Sequence, residues 1–326
     1  MAKRSKRNYG MKKLEPAVQT IYFTKTLGAN ANETLYLDLS QIACLQNRRF
    51  YSQSINWAVA GLKMMTDSAS GITISKIPNT WVAFQAYKKA FYAWDRQQKE
   101  AMDEAGAESA AAAFRDFKIF ADADHVALYK ANGDDLNATN ILPEDLTGTQ
   151  FATGEWEPAQ IVIPNSGAPG VVDERLLHMV GPNFNGSDSR GIIEGYADSR
   201  SYPHSPDPVH PPLDGTSNWL AKMFDVGDNI SEVLDNATDK NDELPYPQVN
   251  YPGGELQAAT LQVHDLADVT GTTIGAMTRL KGGSFPCGLM RIDLRNRTDS
   301  SASYAFTIDL VPGPHRGYLC EKMMEA

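Results

Sequence analysis

Hydrophobic and polar positions alternate at both ends of this chain, the period of half-buried β-strands. Residues 18–26 alternate and are rich in β-branched and aromatic side chains. Residues 34–45 place Leu35, Leu37 and Leu39 on one face, residues 50–65 carry Ile55, Trp57 and Val59, and Ile72, Ile74 and Ile77 continue the pattern. Strands are predicted again at 257–263, 272–280, 288–294 and 304–311. One segment keeps a different rhythm. Trp81, Phe84, Tyr87, Phe91 and Trp94 are spaced 3, 3, 4 and 3, which predicts an amphipathic helix with its aromatic stripe on the core. Thr80 is its candidate N-cap and Gly106 its stop, and Asp95 and Lys99 form a favourable i,i+4 pair.

The middle of the chain is irregular. Between Pro158 and Pro252 lie 12 of the 18 prolines, five of them at 203, 206, 208, 211 and 212. Such connections are usually functional loops or displayed surface. Short helices are expected only at 217–224 and 229–236. Strands at both ends, with loops and one helix between them, predict an all-β fold: an antiparallel jelly-roll sandwich with one inserted amphipathic helix, whose first and last strands pair. The expected organisation is an arm at 1–17 and a single domain at 18–326, with a proline-rich loop insertion at about 158–255.

Charge changes this picture at the start of the chain. The whole chain has 30 basic and 40 acidic residues, a net charge of −10. Lys3, Arg4, Lys6, Arg7, Lys12 and Lys13 fall in the first thirteen residues without an acid, so the remaining 24 basic against 40 acidic residues carry −16. A cationic tether suits a polyanion, since each neutralised phosphate releases counterions. The compact Lys3-Arg4-Ser5-Lys6-Arg7 cluster also fits a nuclear import signal, and a solubilising terminus is the plain alternative. No apolar run approaches the ~18 residues of a membrane span. The basic start is followed by Asn8, Tyr9 and Gly10 rather than an apolar stretch, so no secretory signal is expected.

Catalytic signatures are sparse: no P-loop, G-x-G-x-x-G, H-E-x-x-H or G-x-S-x-G occurs. Gly133-Asp134-Asp135 reads as a turn. His204 and His210, near Asp207 and Asp214, form a conceivable metal group that the surrounding prolines hold apart. Asp239, Asp242 and Glu243 lack an EF-hand pattern; a structural divalent cation at a subunit contact is the one cation role they leave open. Cys44, Cys287 and Cys320 are odd in number and widely spaced, which predicts free thiols. The six N-x-S/T sequons carry little weight without a secretory signal. The expectation is a protein with no catalytic residues and no cofactor.

Several stretches together resemble the capsid proteins of small circular, replication-initiator-encoding single-stranded DNA viruses. They are the Lys/Arg-rich start followed at once by strands, Pro78-Asn79-Thr80-Trp81 opening the aromatic helix, and Phe114-Arg115-Asp116-Phe117-Lys118 after it. Tyr251-Pro252-Gly253-Gly254 before the final strands and the ending Ile308-Asp309-Leu310-Val311-Pro312-Gly313 complete the set. The resemblance implies a jelly roll whose copies close into an icosahedral shell around the genome, in a virion, with assembly in the host nucleus. The six arm residues would then contact phosphate without reading bases. Sixty copies bring only about 360 arm charges against one charge per nucleotide, so the arm would tether the genome and other cations would have to help condense it. Alternatives are a β-sandwich adhesin or carbohydrate-binding module, a single-stranded RNA virus capsid, or a hydrolase using His204 and His210.

Overall fold

The computed structural model describes residues 15–110, 116–164, 171–199, 232–233, 235–237, 239–240, 251–255, 258–270 and 276–325. Two antiparallel sheets bury one core between them. The first holds β1 (Thr20–Leu27), β3 (Ile55–Met65), β11 (Met277–Phe285) and β13 (Ala302–Leu310) in the order β1-β13-β3-β11. The second holds β2 (Asn32–Asp38), β4 (Ser70–Lys76), β10 (Gln262–Val269) and β12 (Leu289–Asn296) in the order β10-β4-β12-β2. The pairing is nested. β4 pairs with β10, β3 with β11, β2 with β12 and β1 with β13, all antiparallel, so the first strand meets the last long strand from Thr20 opposite Asp309 to Leu27 opposite Ala302. After β13 the chain makes the β14 (Pro312–Gly313) and β15 (Gly317–Tyr318) ribbon, and β16 (Cys320–Lys322) pairs with the start of β3.

Alternation explains these strands directly. Ile21 and Phe23 of β1, Phe306 and Ile308 of β13, and Leu62 and Met64 of β3 point inward, against Leu35 and Leu37 of β2, Ile72 and Ile74 of β4 and Ile292 and Leu294 of β12. Phe23 and Phe306 stack at 4.8 Å between centroids, a geometry that adds about 0.5–1.5 kcal/mol to their area burial. Two glycines permit close approaches. A Cβ at Gly282 would strike the Val59 and Ala60 carbonyls, where β3 bulges, and Gly288 (φ +66°) lies against the Trp57 indole.

Three sequence expectations need correction. Residues 34–45 are not one strand: β2 ends at Asp38, whose Oδ1 accepts from the amides of Ser40 (2.8 Å) and Gln41 (3.2 Å) and so caps α1 (Leu39–Asn47). Of the strand expected at 257–263, residues 258–261 are not strand, and β10 runs Gln262–Val269. Residues 272–275 of the strand expected at 272–280 lie outside the described residues, and that strand continues to Phe285. The bounds differ because β10 and β11 are edge strands whose exposed charges break the alternation. The insertion is also more than one helix with loops. Between β4 and β10 the chain forms α2 (Trp81–Glu104), β5 (Phe120–Asp122), α3 (Ala123–Ala131), α4 (Leu136–Thr139), β6 (Gln160–Pro164), β7 (Val172–Val180), β8 (Phe184–Asn185), β9 (Ser189–Gly191) and α5 (Ile192–Asp198). The strands make a third sheet, β5-β7-β9-β8 with β6 also on β7, in which β5 and β9 run parallel to β7. Part of the proline-rich stretch is therefore ordered sheet and helix. The helix expected at 217–224 lies outside the described residues; in the one expected at 229–236, the described positions 232–233 and 235–236 are helical.

The aromatic helix matches its pattern. Thr80 Oγ1 accepts from the Ala83 amide, and Phe84, Tyr87 and Trp94 are buried in a second core, while Trp81 at the first position stays 45% exposed. Tyr87, Phe91 and Trp94 surround Phe117 at 5.3–5.7 Å between centroids. This core joins α2 to the third sheet and to Tyr36, Ile77 and Leu289 of the sandwich.

Phe306→Ala should cost about 3–5 kcal/mol in denaturant unfolding, because it opens a cavity between the sheets. Ser303→Ala, on the outer face of the same strand, should stay within about 0.5 kcal/mol.

Candidate nucleic-acid interface

The six arm residues, Lys3, Arg4, Lys6, Arg7, Lys12 and Lys13, lie outside the described residues. Their point of attachment is defined, because residues 15–19 are tied to the end of the sandwich. The Val18 amide donates to Asn47 Oδ1 (2.9 Å), Tyr318 O–H donates to the Val18 carbonyl (2.6 Å), and the Leu310 amide donates to the Gln19 carbonyl (2.7 Å). Asn47 in turn donates to the Tyr318 hydroxyl (2.7 Å). Burial pushes that hydroxyl up to about 12, so it remains a donor at neutral pH.

Three arginines surround this root. Helix α1 ends with Arg48 in the left-handed region (φ 52°), its amide closing the last turn on the Cys44 carbonyl. Arg48 Nη1 donates to the Ala152 carbonyl (3.3 Å). Arg49 reaches back to Glu15 (3.2 Å) and the Pro16 carbonyl (3.3 Å). Arg316, at the β14–β15 turn, donates to the Phe50 carbonyl, and its own carbonyl accepts from Tyr51 O–H (2.9 Å). Tyr51 feels both Arg49 and Arg316, although burial dominates and raises its hydroxyl. All three guanidiniums are exposed. An exposed pair such as Arg49–Glu15 holds only ~0–1 kcal/mol, so a phosphate can displace it, and an arginine fork fits phosphate bidentately.

Sequence reading missed these residues. Arg48-Arg49 is a visible dipeptide, but Arg316 stands far along the chain, and only the strand pairing brings it to the arm. A cleft of about 1060 Å³ opens beside Arg48 and Arg49, with Trp156 on its wall. It also carries Asp134, Glu155 and Glu157, and its one lysine, Lys118, is already neutralised. The cleft as a whole is therefore poorly suited to an anion.

Lys118 belongs to a buried seam between insertion and sandwich. Its ammonium lies 3.3 Å from Asp38 and 3.5 Å from Asp116, and 4.9 Å from the centre of the Trp156 ring. Burial alone would lower its pKa, but the two carboxylates prevail and hold it above the usual lysine value. Gln53 extends the seam, donating to Asp38 (3.2 Å) and accepting from the Ile119 amide (2.7 Å). Farther along, Asp122 accepts from Tyr36 O–H (2.7 Å) and pairs with Arg291 (3.0 Å), which also reaches Asp124 and Asp293.

Two histidines sit inside the insertion and its boundary. His125 stacks on Tyr36 at 4.1 Å and bonds Asn140 Oδ1 (2.9 Å). His178 lies between Ser189 Oγ (2.9 Å) and the Pro182 carbonyl (3.1 Å). That Ser–His pair is fully enclosed, with no exposure at either residue, and presents no nucleophile to a substrate. Gly133-Asp134-Asp135 is a turn: Gly133 and Asp134 have positive φ, and Asp135 caps α4. His204, Asp207, His210, Asp214, Asp242 and Glu243 lie outside the described residues, and Asp239 is exposed. Among the described residues no group of three or more His, Cys, Asp or Glu side chains is placed to hold a metal ion. The cysteines are free, and burial raises all three thiols, Cys44 to about 11 and Cys320 to about 12.

Lys118→Met should cost about 3–5 kcal/mol, because it strands Asp38 and Asp116 in the interior. The ion pair's contribution should persist below the unfolded lysine pKa of ~10.4 and disappear as pH rises through the higher folded value, which alkaline unfolding measures. The histidines give the opposite dependence. Burial holds both near 4, so between about pH 6.5 and 4 the unfolded chain binds two more protons. Stability should fall as pH falls across that window, by up to about 2.7 kcal/mol per pH unit, and His125→Gln should halve the slope between pH 6.5 and 5.

Comparison of the chain with protein-family models, with curated proteins and with solved structures gives no match, so function rests on this geometry and on the strand order.

Proposed function

We propose that this chain is a jelly-roll capsid subunit that assembles in many copies into an icosahedral shell and packages a single-stranded DNA genome through its basic arm. The nested pairing carries the reading. Numbering the eight paired strands of the sandwich in chain order, the sheets read 1-8-3-6 and 5-4-7-2, the arrangement of one long hairpin rolled up so that its arms face each other across a core. That is the double-sheet architecture of viral shells and of lectins, so the fold alone does not choose between a shell and a glycan-binding module.

The arm and its surroundings favour the shell. Six cations start a chain whose remainder carries −16, and the segment that follows them is anchored beside the exposed Arg48, Arg49 and Arg316. Exposed apolar side chains such as Val263 and Leu266 on the edge strand β10 supply material for contacts between copies. No helix among the described residues is long and apolar enough to cross a membrane. In this role the chain performs no chemistry: it positions phosphate-binding side chains and repeats them.

Electron microscopy of the expressed protein should show closed particles containing nuclease-sensitive material. DNase-sensitive cargo supports the reading in full, RNase-sensitive cargo transfers it to an RNA genome, and a monomer that binds a glycan array supports the adhesin instead. Replacing Lys3, Arg4, Lys6, Arg7, Lys12 and Lys13 together by Gln should leave particle formation intact and lower the nucleic acid per particle by more than about half.

A further inference from the structure

The two sheets of the sandwich differ in charge in a way that the whole chain hides. The strands of the first sheet, β1, β3, β11 and β13, contain Lys25, Lys63, Arg279 and Lys281 against a single acid, Asp309. Those of the second sheet contain Lys76, Arg291 and Arg295 against Glu33, Asp38, Asp265, Asp268 and Asp293. Lys25 turns toward the second sheet and pairs with Glu33 (2.5 Å). The outward charges of the first sheet are therefore Lys63, Arg279 and Lys281 against Asp309, a cationic balance in a protein with ten more acids than bases.

Register shows where those cations stand. Leu62 pairs with Leu280 and Ile308 on the buried side, so their neighbours Lys63, Arg279 and Thr307 share one outward row with Tyr22. The next outward row reads Thr20, Asp309, Gly61 and Lys281. Asp309 is spanned by Lys63 at 2.6 Å and by Thr20 Oγ1 at 2.8 Å, so it is internally neutralised and its carboxyl is held below the usual range. Arg279 is exposed and makes no ion pair among the described residues, and Lys281 approaches only Asp265, at 4.0 Å. The outward row on the other side reads Thr24, Ala305, Met65 and Met277, with Thr26 and Ser303 beyond it. A carboxylate there, Glu144 at the β1 edge, accepts from the Thr24 amide (3.1 Å) and hydroxyl (2.7 Å).

We propose that the outer face of the first sheet is a second binding surface for single-stranded nucleic acid, on which Arg279 and Lys281, with Lys63 beside them, engage phosphates of the strand that the arm tethers. The proposal rests on the packaging role above and deepens it. Its support is continuity as well as charge. The arm enters this sheet at Thr20, in the same cross-strand row as Lys281, three strands or about 14 Å away. Fourteen residues preceding Glu15 span at most about 50 Å when extended, enough to cross the face. The surface also reduces the shortfall in arm charge, since Arg279 and Lys281 add about 120 charges to the arms' roughly 360 in sixty copies, from a backbone that is already folded.

The full-length Arg279→Gln/Lys281→Gln variant tests this, with Lys99→Gln/Lys130→Gln, on α2 and α3, as the control of equal charge change. Both changed residues are exposed, so thermal unfolding should be unaltered. Particles of the variant should form at wild-type yield and hold about half the nucleic acid, read by the ratio of absorbance at 260 and 280 nm. Binding of the unassembled chain to a thirty-nucleotide oligothymidylate should lose about 1.4 from the slope of log K against log salt, two contacts at ~0.7 each. The control should change neither. Unchanged cargo and slope would overturn the proposal, and so would loss of particles with normal oligonucleotide binding, which would make the face a contact between copies. A wild-type chain that forms no particles defeats the packaging reading itself, a result distinct from either.

Discussion

The nested antiparallel pairing is the constraint on which the rest of the molecule depends. Its outermost pair joins residues as far apart as Thr20 and Asp309. Closing a free loop of that length costs about 5 kcal/mol beyond the constant for any loop, before a contact is made. The nesting reduces the cost in steps. Once Lys76 meets Gln262 in the β4–β10 pair, β3 and β11 lie next to each other, then β2 and β12, then β1 and β13. Each pairing shortens the effective loop of the next. The innermost loop is the whole insertion, so a folded insertion is what brings β4 and β10 together.

That dependence gives the buried seam a purpose. Lys118 with Asp38 and Asp116, and Arg291 with Asp122 and Asp124, join the insertion to β2, α1 and β12. An apolar contact would hold them together in several registers. Ion pairs and directed hydrogen bonds through Gln53 and Tyr36 accept one, at the cost of stability if any partner is lost. Asp38 serves twice, as the N-cap of α1 and as the partner of Lys118. One carboxylate thus fixes where β2 stops and where the insertion docks.

Much of this was legible in the chain because the period-2 and period-3.6 signals are long. β1, β3, β4, β12, β13 and the stripe of α2 all follow from alternation or helical spacing, and so does the expectation that the ends meet. The third sheet was not legible. β5, β8 and β9 have two or three residues each, too few to show a period, and parallel pairing with β7 leaves no turn signal. The switch from β2 to α1 hid in an apolar run that suits either structure, with only the Asp38-Leu39-Ser40 cap to mark it. Arg48, Arg49 and Arg316, like Arg279 and Lys281, look like scattered surface charge in sequence; register and strand order are what group them.

A sandwich of this kind needs no pocket or catalytic group to be useful. In the role we propose, function would follow from repetition of a cationic arm, and of the face beside it, on an otherwise acidic surface that would keep the outside of a particle soluble. Repetition is therefore the claim to test. Sedimentation or mass photometry of the purified chain should give a discrete species of at least about 2.1 MDa, sixty copies of 35.7 kDa, before the mass of any cargo. A single species of one to a few chains that stays small at high concentration and low salt would contradict the account.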